Sequence, residues 1–168
     1  MFANNKDEEI VEQIHNQYGK SAKVKKVIGK FCKKSGNEEM TRHRLTQFLC
    51  HTKEFFGIRC SGDFLWIKGE PVTILNTQDI IWIYPYENVN VIYFIPIMQH
   101  AIIFVTKDKK SHVVYVKKKM ADDMFRQLTR CIPWVYFGFR EDIAELLKKN
   151  PQYMIDAVQK KRKEMLGI

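Results

Sequence analysis

From Phe55 onward the apolar residues stop recurring at helical spacing and begin to alternate, and this change of period limits the fold more than any other feature. FFGIRC, DFLWIKG and PVTILN are separated by Ser61-Gly62 and by Gly69-Glu70-Pro71, which carry turn chemistry. They predict short antiparallel strands. DIIWIYPYE follows, where Ile80, Trp82 and Tyr84 alternate with Ile81, Ile83 and Pro85, so both faces are apolar. Pro85 has no amide hydrogen for a ladder and predicts a sheet edge or a strand end.

The least polar stretch is VIYFIPIMQHAIIFV, residues 91 to 105. It falls short of the roughly 20 apolar residues that a membrane span needs, and Pro96, Gln99 and His100 interrupt it. It predicts two strands, VIYFIPI and AIIFVTKD, joined at Met98-Gln99-His100. So apolar a hairpin belongs in the core, in a sheet packed on both sides or closed on itself. AIIFVTKD then turns through Lys109-Lys110 into SHVVYVKK, a second hairpin with a solvated tip.

Helical spacing brackets this region. Residues 7 to 18 place Ile10, Val11, Ile14 and Tyr18 on one stripe. SAKVKKVIGKFCKK sets Val24, Val27, Ile28 and Phe31 opposite its lysines and stops at Ser35-Gly36. Asn37 is an N-cap for a third helix reaching about Lys53. After the sheet, MADDMFRQLTR aligns Met120, Met124, Leu128 and Cys131, with Asp122 and Asp123 expected at its dipole-favoured start. Pro133 ends it, PWVYFGF follows, and EDIAELLKK and PQYMIDAVQKKRKEM predict two last helices, the second opened by Pro151. Trp134, where the chain must turn back, is expected to be a structural anchor.

About seven short strands and then a capping helix is an order that resembles a pleckstrin-homology-like (PH-like) domain. GDFLWIKGEPVTILNTQDIIWIYPY, YFIPIMQHAIIFVTKDKK and IPWVYFGFREDIAELLKKNPQYMIDAV are similar to an uncharacterised bacterial family of cytosolic or membrane-tethered PH-like proteins. The resemblance spans roughly residues 55 to 160. It implies an α+β fold with a PH-like antiparallel sheet or barrel, and it implies no activity. The expected organisation is a helical extension over 1–54, a β-rich core with its capping helix over 55–140, and C-terminal helices over 141–168 packed on the same domain.

Chemistry is sparse. No GxSxG, P-loop or GxGxxG occurs, and His15, His43, His51, His100 and His112 stand in five unrelated contexts. Cys32, Cys50, Cys60 and Cys131 form no CxxC pair and read as reduced structural thiols, with a mixed Cys50, His51 and Cys60 metal site as the rival reading. No catalytic residue, cofactor, metal or small-molecule substrate is expected. Trp82, Trp134, Tyr136 and Phe137 read as core rather than as a ligand cleft.

A net charge of +9 favours acidic partners. The lysines that could meet one are Lys23, Lys25, Lys26, Lys30, Lys33 and Lys34 on the second predicted helix, and Lys107, Lys109 and Lys110 in the last hairpin turn. The expectation is a non-enzymatic binding or scaffolding protein that meets a protein partner or a second copy. A peripheral module for anionic membranes, held by the basic amphipathic helix, is the first alternative, and a nucleic-acid binder the second. The opening MFANNKDEEI lacks the features of a secretory signal, so a cytoplasmic location is expected.

Overall fold

A computed structural model describes residues 22–68 and 71–168. The helix expected over residues 7 to 18 lies outside them. The chain divides into two units, 1–54 and 55–168. The architecture is mixed α+β, with five α-helices and two sheets among the described residues.

The first unit contributes α1 (Ala22–Lys34) and α2 (Glu38–His51), packed against each other. Ser35 Oγ donates to the Cys32 carbonyl at 2.6 Å, and Gly36 takes φ +79°, the left-handed turn that ends a helix. Asn37 then caps α2 by accepting the Met40 amide hydrogen at 3.1 Å. Cys32, Leu45, Phe48 and Leu49 are buried.

The second unit starts with an antiparallel meander of β1 (Ile58–Cys60), β2 (Phe64–Ile67) and β3 (Thr73–Asn76). A 3-10 turn, Thr77–Asp79, leads into β4 (Ile80–Ile92), which pairs with β5 (Ile95–Thr106), itself paired with β6 (Ser111–Val116). After α3 (Lys118–Cys131), β7 (Tyr136–Phe137) adds to β4 in parallel at Trp82 and Ile83. Two helices close the chain, α4 (Glu141–Lys149) and α5 (Pro151–Leu166), the latter capped by Asn150 and begun by Pro151.

Three expectations are corrected. Among the described residues no pairing links the three-stranded sheet to the four-stranded sheet, so no barrel closes. The 3-10 turn carries the chain from β3 to β4, and β7 occupies the outer side of β4 at its start. Next, VIYFIPI is not one strand: the chain reverses at Tyr93-Phe94, and Met98, Gln99 and His100 are paired residues inside β5. Six strands therefore precede α3, and the seventh comes from the aromatic segment after it. Finally, α3 begins at Lys118, so Asp122 and Asp123 lie inside the helix rather than at its start.

Ile80, Ile81, Trp82 and Ile83 are all buried, as a strand apolar on both faces requires. They join Leu65, Ile67, Phe104, Met124, Leu128 and Val158 in one core. Trp134 is buried, with the Arg162 guanidinium 5.7 Å from its ring centre. Trp82 Nε1 donates to the Gly138 carbonyl at 2.8 Å, which fastens the chain after α3 to the middle of the sheet.

Candidate functional site

β4 and β5 run past the rest of their sheet. β6 follows β5 only as far as the His100–Val116 pair, and β7 follows β4 only to Ile83. From Asn88–Gln99 to the tip the two strands therefore pair only with each other among the described residues. At a rise near 3.4 Å per residue this arm projects about 20 Å.

The arm has two different faces because paired residues share a side and successive residues alternate. On one side are Glu87 with His100, Val89 with Met98, and Val91 with Pro96. Nearer the core this same side buries Ile83, Ile102 and Phe104. Glu87 Oε1 lies 2.9 Å from His100 Nδ1, and beyond that polar pair the side is apolar and open, with Val91 67% exposed. The opposite side carries the exposed Ile95 and Ile97 together with a short amide ladder: Asn90 Nδ2 donates to Gln99 Oε1 at 2.6 Å, and Asn88 Nδ2 to Asn90 Oδ1 at 3.2 Å.

At the tip Tyr93 is 91% and Phe94 99% exposed. Their φ angles are +50° and +66°. Positive φ at both central residues makes a type I′ turn, which suits the twist of a hairpin but favours Asn-Gly, because a side chain there crowds the backbone. Two bulky aromatics hold this strained geometry in water. Such strain in a native chain is a pointer to function.

The pairing also accommodates two prolines. In a two-residue hairpin the flanking pair, Ile92–Ile95, shares its hydrogen bonds, and pairs alternate from there. Val91–Pro96 and Pro85–Ile102 are then non-hydrogen-bonded pairs, so each proline nitrogen points to the outer edge. Pro96 removes an outward donor from β5. Along β4, Glu87, Val89 and Val91 still present theirs, so the β4 edge is the more open to another strand.

Electrostatics leave this arm uncharged. Residues 88–99 contain no Asp, Glu, Lys or Arg in a chain of net charge +9. At its root, burial and then the neighbouring Tyr86 push the Tyr84 phenol above its ordinary ionisation range, so it stays neutral.

The lysines singled out in the sequence fall in two places. Lys23, Lys25, Lys26, Lys30, Lys33 and Lys34 are all exposed on α1, while Val24, Val27, Ile28 and Phe31 are half-buried. In the β5–β6 turn Lys107 pairs with Asp79, and Lys110 with Asp108 at 2.7 Å. Lys109 is exposed, with φ +63°. The Lys110 ammonium and the Thr106 hydroxyl hold the Asp108 carboxyl well below the usual range, so of the turn's lysines Lys110 is neutralised by the turn's own Asp108 and Lys107 by Asp79 ahead of β4. Among the described residues no three potential metal ligands come together, and no helix is long and apolar enough to cross a membrane.

The arm residues Val89, Val91, Tyr93, Phe94, Pro96 and Met98 were not singled out as a site by sequence reasoning. One available signal was a charge-free run with prolines spaced to suit an edge. No curated protein and no solved structure matches the chain. A family profile matches residues 22–147, taking in α1 and α2 as well as the sheets, and so begins ahead of the resemblance first noted over residues 55 to 160. On that match the chain belongs to the family described as a domain of unknown function, DUF6709.

Proposed function

We propose that this chain is a non-enzymatic binding protein of PH-like build that associates with a second copy of itself through the β4–β5 arm. The carrying observation is the apolar stripe of Val89, Val91, Pro96 and Met98, ended by Tyr93 and Phe94, exposed on a two-stranded projection. A two-stranded hairpin alone is marginally stable in water, and an apolar strip of this kind in a soluble domain marks a contact surface. Charge argues for the occupant. Two copies of a +9 chain repel, and residues 88–99 let them approach without bringing like charges together. Antiparallel pairing of the open β4 edge with its own copy is also self-complementary about a two-fold axis. The PH-like reading is supported by two antiparallel meanders followed by α3. The Asn88, Asn90 and Gln99 amides on the other side, which a bilayer would place in hydrocarbon, argue against immersion of the whole arm.

Sedimentation velocity over a concentration series tests this reading. Wild-type protein is expected to dimerise, and the dimer to persist or tighten at high salt, as apolar contacts do. Tyr93→Asn with Phe94→Gly, and separately Val91→Lys, should give folded monomers. A monomer at every concentration overturns the proposal. Salt-sensitive binding to anionic vesicles or duplex DNA by that monomer would move the function to the α1 lysines.

A further inference from the structure

The side of β4, β5 and β6 opposite the apolar stripe gathers aromatic rings. Alternation puts Trp82, Tyr84 and Tyr86 on this side of β4. Phe139, just past β7, lies against the first two, with its ring centre 5.9 Å from that of Trp82 and 5.5 Å from that of Tyr84. Tyr86 pairs with Ala101, and Ala101 with Tyr115, so two tyrosines stand about 10 Å apart across two strand spacings. Ala101, small and buried, leaves a floor between them. Trp82 is covered, but Tyr86 is 44%, Tyr115 45% and Phe139 59% exposed.

The charge on this side has one sign. Over Trp82 to Asn90, Ile95 to Val105 and Ser111 to Lys117, the register places no acidic residue on it. Lys117 is still extended, at φ −70° and ψ 138°, so it follows Tyr115 onto the same side, level with Gln99. It is exposed, as are Lys118 and Lys119, which follow at once in α3, and the acids Asp122 and Asp123 come a turn later. The Gln99 amide nitrogen and the Asn88 amide oxygen take no part in the amide ladder, which leaves a donor and an acceptor at the rim.

We propose that this aromatic face binds single-stranded nucleic acid, with bases stacked on Tyr86, Tyr115 and Phe139 and phosphates met by Lys117 and its neighbours Lys118 and Lys119. Every base has a flat π-face that a ring can take, and in a single strand those faces are free, whereas a duplex keeps them stacked inside. The rings are held ready: Phe139 is braced edge-on by Tyr84 and from below by Trp82. Charge selects the occupant. A neutral sugar or a proline-rich peptide would use the same rings but gain nothing from an acid-free face on a +9 chain. The face is turned away from Val89, Val91 and Met98, so the proposal stands apart from self-association.

Fluorescence anisotropy of the full chain with labelled oligonucleotides of about ten nucleotides, single-stranded and as the matching duplex, tests it. Single strands of either sugar are expected to bind about tenfold or more tightly than the duplex. Tyr115→Ala and Phe139→Ala should each weaken that binding by about tenfold, while Tyr115→Phe keeps it, since stacking needs the ring and not the hydroxyl. Lys117→Gln should reduce the slope of log affinity against log salt by about 0.7, one phosphate contact. The variant Tyr93→Asn with Phe94→Gly should bind as wild type does, so loss of the dimer and loss of this site are told apart. No binding, equal affinity for duplex and single strand, or full affinity in Tyr115→Ala overturns the proposal. Equal affinities that both vanish in Lys25→Glu with Lys26→Glu would do so by assigning the binding to α1. The wild-type comparison of single strand with duplex decides the matter if a variant fails to fold.

Discussion

Tyr93 and Phe94 occupy backbone conformations that glycine and asparagine adopt at less cost, so this turn is less stable than it could be by about 1 kcal/mol or more per residue. Tyr93→Asn with Phe94→Gly is therefore expected to raise the melting temperature while abolishing self-association. Thermal melts at a concentration where the wild type is monomeric separate the two effects. Stability and contact pull these positions in opposite directions, a common compromise at functional sites. The Phe56-Gly57 turn repeats the geometry, with φ +51° and +78°, but there the second residue is the permissive one. A Cβ on Gly57 would sit 3.6 Å from Met120 Cε and from the Lys68 carbonyl oxygen, ordinary contacts, so the penalty of Gly57→Ala is conformational. It should cost about 1–2 kcal/mol in a urea titration.

Among the elements, β4 was the most legible in the sequence over its first half. Ile80 to Tyr84 alternate apolar side chains on both faces, and only a strand covered twice accepts that pattern. The second half deceived for a physical reason: apolarity is read as burial within one chain, and an arm that leaves its own core breaks that rule. The turn was misplaced because Tyr-Phe carries none of the usual type I′ chemistry, whereas Met98-Gln99-His100 offers polar atoms that the ladder in fact uses. Lys107 and its Asp79 come together only because the start of β4 lies beside the end of β5, which spacing along the chain does not reveal. The β5–β6 turn is held by Asp108, whose folded-state ionisation is lowered, so its contribution is present above the unfolded carboxylate value near 3.9 and is lost as pH falls below it. Asp108→Asn should flatten the acid side of a pH series of urea midpoints.

Across the molecule, the charge that first suggested nucleic acid or lipid is spread along the chain rather than confined to one segment. Six lysines stand on α1 in the first unit, two more are paired with aspartates in the second, and the β4–β5 arm carries no charge between residues 88 and 99. If self-association runs through the arm, raising the ionic strength should leave the dimer intact while weakening any attraction of α1 to polyanions. Titrating salt during sedimentation reads both on one sample.

The bond from Trp82 to the Gly138 carbonyl also sets an order of events during synthesis. Both long hairpins are complete once Val116 has left the ribosome, but the outer side of β4 has no partner until β7 and Gly138 have been made. A growing chain halted within α3 would therefore display the whole length of β4 as an open template, from Ile80 to the arm. The short parallel pairing with β7 is thus a late latch, and the passage from Val116 to Gly138 is the interval in which a nascent copy is most exposed to pairing with its neighbour on the same message.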